Sequence, residues 1–279
     1  MKPTPAQLHL HASRLTRGIP GFAIALLALA SAANLKADPY VRVLVYAYDQ
    51  NSGNGSIDTG QIAGPVASAE SGPFSDFGGS FDAKAYATYG VLRAYSTSIN
   101  TYPLYQSFTP AEAWWSDTFT VTGPANTQVT FNFGLHLDDA LSAVKYPGFP
   151  DNLGAVAVAQ LHGMGAAAGL AINDSVSNSG ANLAADRTVW KLATFNVGDV
   201  VTVGADLYTD ATAQGGTATA DAYSTGRFAL EVVTPGGGYN TANGVVFATS
   251  FVPEPSTCAL LGFGALGLLA LRRKKSVAA

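Results

Sequence analysis

Hydrophobic and polar residues alternate with a period of two through most of residues 38–251. The alternation is clearest in four runs, Val41–Val45, Phe81–Val91, Val129–Leu135 and Val201–Leu207. Because successive side chains of a β-strand point to opposite faces of a sheet, this period predicts half-buried strands. The region has no convincing helical period of 3.6, and its best helical candidate, Ala166–Ala171, is interrupted by glycine.

Further strands are predicted between clusters of turn-forming residues, at Ser116–Val121, Ala155–His162, Thr188–Phe195, Thr217–Tyr223, Arg227–Val233 and Val245–Phe251. Gly53–Gly79 is rich in glycine and serine, and we expect it to form a long loop or a loosely ordered edge. So many short strands predict an all-β fold, an antiparallel β-sandwich of jelly-roll-like type. Alanines and glycines on the inward faces predict closely packed sheets with a few bulky aromatic side chains between them.

The end of the chain has a different composition. Pro253 and Pro255 restrict the backbone and predict a stiff, exposed linker. The following Cys258–Leu271 carries no charge and spans about 21 Å as a helix, somewhat short for a membrane crossing. Four basic residues close the segment: Arg272, Arg273, Lys274 and Lys275. We expect a transmembrane helix over residues 257–271, with the basic tail 272–275 in the cytoplasm as a stop.

This order of linker, apolar run and basic tail resembles the PEP-CTERM sorting signal of Gram-negative, exopolysaccharide-producing bacteria. The resemblance covers Val252–Lys275, with the core motif Val252, Pro253, Glu254 and Pro255. It implies that an exosortase recognises the segment, cuts near the Pro-Glu-Pro motif and releases the protein to the cell surface or the extracellular matrix. A plain C-terminal membrane anchor is the alternative that the residues alone leave open.

The beginning of the chain is typical of an exported protein. Lys2, Arg14 and Arg17 precede the apolar stretch Ile19–Ala33, and small residues suitable for cleavage end at Ala32 or Ala37. This pattern predicts a signal helix within a signal peptide over residues 1–37, handled by signal peptidase and the general secretion machinery, although an uncleaved anchor is an alternative. The predicted organisation is therefore a signal peptide at 1–37, a β-sandwich domain at 38–251 and a sorting signal at 252–279.

Charge and cysteine content limit the partners of the central region. All 19 acidic residues lie in Asp38–Glu254, where the net charge is about −12, and eight of the 15 basic residues lie in the two terminal segments. An acidic domain argues against nucleic acid as a partner. The single cysteine, Cys258, lies in the sorting segment, so stability must come from core packing without disulfides.

Candidate catalytic and metal-binding residues are few. His136, Asp138 and Asp139 form a His-x-Asp-Asp cluster that can bind a metal or move a proton, although a solvated strand end is the favoured interpretation. His162 is expected at an edge or a turn. Asp49–Asp58 weakly resembles a calcium loop, but its glycine is one position out of register. No hydrolase or phosphate-binding motif is found, and no cofactor is predicted.

Two other residue groups suggest carbohydrate chemistry. Glycoside hydrolysis needs two facing carboxylates, and the candidates are Glu70, Glu112, Glu231, Asp117, Asp206 and Asp221. Trp114 and Trp115, with Tyr105 nearby, form the densest aromatic patch and are possible contacts for a sugar ring. Because adjacent strand residues point to opposite faces, we expect one of these tryptophans in the core and the other outside it.

Three functions are compatible with these patterns. The favoured one is a non-enzymatic, structural protein of the cell surface or extracellular matrix, exported through the inner membrane. Its body would be periplasmic before processing, with its C-terminal segment in the membrane. The alternatives are a carbohydrate-binding or adhesion module that contacts exopolysaccharide, and a polysaccharide-active hydrolase.

Overall fold

The computed structural model describes residues 39–49, 53–76, 79–101, 106–149, 152–180 and 182–251. The predicted signal peptide and the predicted sorting segment with its membrane helix lie outside these ranges. The described residues form β-strands and turns without an α-helix, which confirms the all-β prediction for this part of the chain. It follows that the described ranges contain no helix with the length and apolar character of a membrane span.

Fourteen strands make up the described fold: β1 (Tyr40–Asp49), β2 (Gly53–Asp58), β3 (Val66–Asp76), β4 (Gly79–Thr88), β5 (Val91–Asn100), β6 (Ser107–Phe108), β7 (Ala111–Thr122), β8 (Gln128–Lys145), β9 (Gly154–Gly165), β10 (Ala171–Asn178), β11 (Leu183–Asn196), β12 (Val200–Ala213), β13 (Gly216–Val232) and β14 (Gly238–Thr241).

The strands form two antiparallel sheets. In the larger sheet the long strands follow the order β10-β9-β12-β7-β1-β2, with β6 between β12 and β1 at one end and β14 beside the end of β7. The smaller sheet has the order β11-β8-β13-β5-β4-β3. The predicted alternation of burial is observed in both sheets, and the inward side chains of both contribute to one hydrophobic core.

The core has two regions of different composition. One is built from aromatic rings, in which Phe119 packs against Phe131 and Tyr239 with ring centroids 5.6 Å away in each case. The other is lined mainly by alanines of β4, β7, β9, β12 and β13. Small side chains let two sheets approach closely, as the sequence predicted for the inward faces.

Buried hydroxyl groups join the two sheets within the alanine-lined region. Ser96 Oγ of the smaller sheet lies 2.8 Å from Thr209 Oγ1 of the larger sheet. Ser98 bonds to Ser107, whose Oγ also donates to the carbonyl oxygen of Ala213 at 3.0 Å. Each buried hydroxyl in these pairs has a partner, so the desolvation cost of burying it is offset.

Four local predictions are corrected. The predicted strand Val245–Phe251 is not formed, because this stretch makes only an isolated bridge at Ala248. The run Phe81–Val91 is not one strand, because Gly90 adopts φ = 81° in a turn that separates β4 from β5. The helical candidate at Ala166–Ala171 is a turn followed by the start of β10, closed by a bond from Ala167 N to Met164 O at 3.1 Å. Most of Gly53–Gly79 is strand, because β2 pairs with β1 and β3 forms the edge beside β4.

Candidate functional site

Ionisable and aromatic side chains gather on the outward face of the larger sheet, where β1, β7, β12 and β9 lie side by side. The even-numbered residues of β1, β7 and β12 point to this face, opposite to the core residues between them. Strand register places Arg42 opposite Trp114, and Trp114 opposite Asp206. We call this group the outer-face cluster, and its members are Tyr40, Arg42, Glu112, Trp114, His162, Asp206 and Tyr208.

Arg42 covers one side of the outer-face cluster. Its guanidinium carbon lies 5.0 Å from the centroid of the Trp114 ring, within the range of a cation–π contact. Its Nε donates to Asp58 Oδ1 at 2.9 Å, and Nη2 pairs with Oδ2 of the same carboxylate. This bidentate pair raises the pKa of Arg42 and lowers that of Asp58. Trp114 is consequently only 8% exposed, although it points away from the core.

Asp206 and His162 form the other side of the cluster. Asp206 is 5% exposed, and its Oδ1 lies 3.5 Å from Nδ1 of His162. Gly204 makes room for the imidazole, because a Cβ at this position would lie 2.7 Å from Nε2 of His162. Burial raises the pKa of Asp206, and the interaction with His162 opposes that rise. The prediction that His162 lies at an edge or a turn is therefore wrong, since it lies within β9 against β12.

Glu112 is a carboxyl group of the cluster whose pKa lies near neutral pH. Burial, helped by the charge of Asp206 and opposed by Arg42, raises its pKa to about 7. Glu112 is opposite Tyr208 in the neighbouring strand, so Asp206 is its diagonal neighbour on the same face. Burial also raises the pKa of Tyr40 to about 12 and that of Tyr208 well above its usual value. The cluster thus places a carboxyl group whose pKa lies near neutral pH diagonally across from a second carboxyl group.

The other candidate carboxylates lie apart from this pair. Asp117 points into the interior from β7, where burial raises its pKa to about 6. Asp221 and Glu231 belong to β13 of the smaller sheet, and Glu70 lies in β3 of that sheet. The outward direction of Asp206 was predictable from the alternation in β12, but its pairing with Glu112 depends on the β7–β12 register.

The candidate His-x-Asp-Asp group is divided by the period of its strand. His136 and Asp138 lie on the outward face of β8, whereas Asp139 points inward and is 3% exposed. His136 Nδ1 lies 3.0 Å from Thr188 Oγ1 and 3.6 Å from Asp186 Oδ1. Within the described ranges, no three His, Cys, Asp or Glu side chains converge as a metal-ion site would require.

The two adjacent tryptophans point in opposite directions, as the alternation predicted. Trp115 lies in the core, with its ring centroid 5.0 Å from that of Phe228 and 5.4 Å from that of Phe247. Only Trp114 of the pair therefore lies on the outward face of its sheet, where Arg42 covers its ring. Tyr105, the third predicted carbohydrate contact, lies outside the described residues.

The C-terminal end of the described chain forms a second region of interest, which we call the C-terminal junction (residues 247–251). Phe247 is buried in the core, and the carbonyl oxygen of Ala248 accepts a hydrogen bond from Leu230 N at 2.7 Å. Phe251 lies on the outward face of the smaller sheet. Its ring centroid is 5.3 Å from that of His136 and 5.2 Å from that of Trp190. Sequence patterns gave no sign of this aromatic group, because its members are distant along the chain.

Comparison with known proteins identifies the segment that follows this junction. A family model described as the PEP-CTERM protein-sorting motif matches residues 251–274. No curated protein matches the chain. The chain therefore carries a PEP-CTERM sorting motif after a body that is all-β in its described residues, as its sequence suggested. The motif implies export, a membrane-associated sorting signal and processing by an exosortase. Its residues Val252, Pro253, Glu254 and Pro255 and its basic stop at 272–275 lie outside the described ranges.

Proposed function

We propose that this chain is a non-enzymatic, structural protein of the cell surface or extracellular matrix. In this proposal a signal peptide at 1–37 directs export, a jelly-roll-like β-sandwich at 38–251 is the functional body, and the segment at 252–279 directs sorting. The observation that carries it is the match of the sorting motif to residues 251–274. The acidic, cysteine-free composition of the body is compatible with an extracellular location.

The proposed partners follow from this route. Signal peptidase and the general secretion machinery act on the N-terminal segment, and an exosortase acts at Pro253-Glu254-Pro255. The inner membrane holds the segment 257–271 before processing, and exopolysaccharide surrounds the released body. We propose neither a cofactor nor a nucleic-acid partner.

Cell fractionation tests the sorting step. An epitope inserted at the exposed turn Pro147–Gly148 allows detection without interrupting a strand. In cells with exosortase we expect a shortened protein outside the inner membrane, and in cells without it a full-length protein in the inner membrane. A variant with Pro253, Glu254 and Pro255 all changed to alanine should behave like the exosortase-deficient cells. Retention in the inner membrane in all three cases would show that the segment is a plain anchor.

A second candidate function is carbohydrate recognition by the outer-face cluster. The observation in its favour is that Trp114, Glu112 and Asp206 share one face of the larger sheet, where displacement of Arg42 would expose an aromatic ring beside hydrogen-bonding groups. A polysaccharide-active hydrolase would use the same two carboxyl groups, Glu112 and Asp206, as its catalytic pair.

A polysaccharide pull-down separates these functions. If the second candidate is right, Trp114→Ala should abolish retention by the host polysaccharide while Trp190→Ala, on the other sheet, leaves it unchanged. Release of reducing sugar that disappears in Glu112→Gln would indicate a hydrolase. A chain that neither binds nor cuts the polysaccharide supports the purely structural role.

A further inference from the structure

The C-terminal junction is fixed to the body at three successive points. Phe247 packs in the core, where its ring centroid lies 4.8 Å from that of Phe228. Ala248 pairs with Ala229 in a parallel bridge beside β13. Phe251 then packs against Trp190 and His136 on the outward face of the smaller sheet. The chain therefore enters its sorting motif from a defined place on this face.

The tether between this face and the apolar run is short. Six residues, 252–257, separate Phe251 from Cys258. Because an extended chain advances at most about 3.6 Å per residue, the seven steps from Phe251 to Cys258 can span no more than about 25 Å. When the apolar run is inserted in a membrane, the outward face around Phe251 must consequently lie within that distance of the lipid surface.

The side chains beside Phe251 suit a lipid interface. Trp190 is 39% exposed and Leu192 is 62% exposed, and both point outward from the edge strand β11. Thr130, Thr188 and Thr194 lie on the same face, which also carries the carboxylates of Asp186 and Glu231. Lys191, between the two apolar residues, donates to the carbonyl oxygens of Gly169 and Ala171 instead of extending over this face. Tryptophan favours the boundary between lipid and water, since its ring is apolar and its N–H is polar.

We propose that the surface formed by Trp190, Leu192 and Phe251 lies against the membrane lipid for as long as the sorting segment remains attached. This inference rests on the proposed function, because it requires the segment to be inserted in the membrane. Two exposed side chains bind lipid weakly by themselves, but a short tether raises their effective concentration at the surface to the millimolar range. Cutting the segment removes the tether, so the same surface then releases the body.

Tryptophan fluorescence tests the proposal directly. The chain has three tryptophans, and Trp114 and Trp115 are buried, so Trp190 is the exposed reporter. The full-length chain is reconstituted into phosphatidylcholine vesicles whose acyl chains carry bromine, which quenches nearby indole rings. We expect the emission to fall relative to vesicles without bromine. The fall should disappear in Trp190→Phe, which keeps an aromatic ring against Phe251.

Matched reporters keep the test independent of that variant. Leu192→Trp places a second indole on the proposed lipid-facing surface, and its added emission should be quenched. Thr120→Trp places one on the outward, exposed face of the larger sheet, and its emission should not be quenched. Equal quenching of the two added reporters, or none at either, would overturn the proposal.

Flotation of the same vesicles tests insertion of the sorting segment separately from contact of the surface with lipid. A chain that floats with the vesicles but shows no quenching of Trp190 or of the Leu192→Trp reporter contradicts only the lipid-facing surface. A chain that does not float contradicts the proposed insertion of the sorting segment, and the lipid-facing surface fails with it.

Discussion

Gly134 shows how a single missing Cβ shapes the surface of this protein. It lies in β8 opposite Trp190, and a Cβ added to it would lie 2.5 Å from Cζ3 of Trp190 and 2.8 Å from Cε2 of Phe251. Both distances are far below van der Waals contact, so the two rings occupy the space that any other residue would fill. The attachment of the C-terminal junction to the smaller sheet thus depends on glycine at this position.

We predict that Gly134→Ala displaces the rings of Trp190 and Phe251 and lowers the free energy of unfolding by about 1–3 kcal/mol, the usual cost of overpacking. Chemical denaturation of the purified chain in detergent, followed by tryptophan emission, measures both effects. Gly154→Ala in β9 is the control, because nothing lies within 4 Å of its added Cβ and we expect little change. Similar stabilities for the two variants would show that the aromatic contact does not hold the junction.

For single residues, the sequence predicted the direction of a side chain where the two-residue period of a strand applied. Period-two alternation correctly predicted that one of the adjacent tryptophans lies in the core and the other points outward, and the structure places Trp115 in the core. The contact of Phe251 with Trp190 and His136 could not be predicted, because it requires the β8–β11 register and the return of the chain end across the sheet. For the same reason the sequence could not predict that Glu112 and Asp206 are diagonal neighbours on one face.

At the scale of the strands, the edge strands β10 and β11 are joined across the sheets by a charge pair. Arg187 points inward from β11, and its Nη2 lies 2.6 Å from Oδ1 of Asp174, which points inward from β10. Asp139 of β8 is buried beside them; burial raises its pKa to about 6 and Arg187 opposes the rise. Inward charges on edge strands also discourage pairing with another chain, since an intruding strand would have to bury them.

We predict that Arg187→Ala lowers the free energy of unfolding by about 1–3 kcal/mol at neutral pH, because it leaves two buried carboxyl groups without their cation. Equilibrium denaturation provides the measurement, and a double-mutant cycle with Asp174→Asn isolates the pair. The double variant should lose less than the sum of the single variants. Strictly additive losses would mean that Arg187 and Asp174 do not stabilise one another.

Strand prediction succeeded where one face of the strand is uniformly buried. The alternation in Val129–Leu135 and Val201–Leu207 correctly located β8 and β12, although both extend further along the chain. It failed at Tyr89–Gly90, where an apolar residue in a turn continued the pattern of β4 by coincidence. Gly53–Gly79 was misjudged because β3 lies at an edge, where fewer contacts select apolar side chains.

Across the whole molecule, buried carboxyl groups determine how stability should respond to pH. Burial raises the pKa of Glu112 from 4.5 to about 7, and those of Asp117, Asp139 and Asp210 from 3.8 to about 6. Between these values the folded protein binds more protons than the unfolded chain. The free energy of unfolding must therefore fall as pH rises through this window. The lowered pKa of Asp58 acts in the opposite sense, but only below pH 3.8.

We predict that the denaturation midpoint is higher near pH 4.5 than near pH 7.5, as measured in buffers of equal ionic strength. Glu112→Gln should reduce this pH dependence by on the order of 2 kcal/mol, because it removes a group whose pKa is raised from 4.5 to about 7. Glu231→Gln, at an exposed position of β13, is the matched control. A midpoint that rises from pH 4.5 to 7.5 would contradict the burial of these carboxyl groups.

The position of Phe247 near the end of the body also determines when the core can close relative to the synthesis of the sorting motif. Its ring completes the aromatic core between Trp115 and Phe228, yet it stands only a few residues before the sorting motif. A chain is synthesised from its N-terminus, so the body must wait for nearly its last residue before the core can close. By then the residues that follow are already those of the sorting segment. Completion of the fold and synthesis of the sorting motif are therefore consecutive steps, and a body that fails to close leaves an unpacked aromatic ring beside the motif.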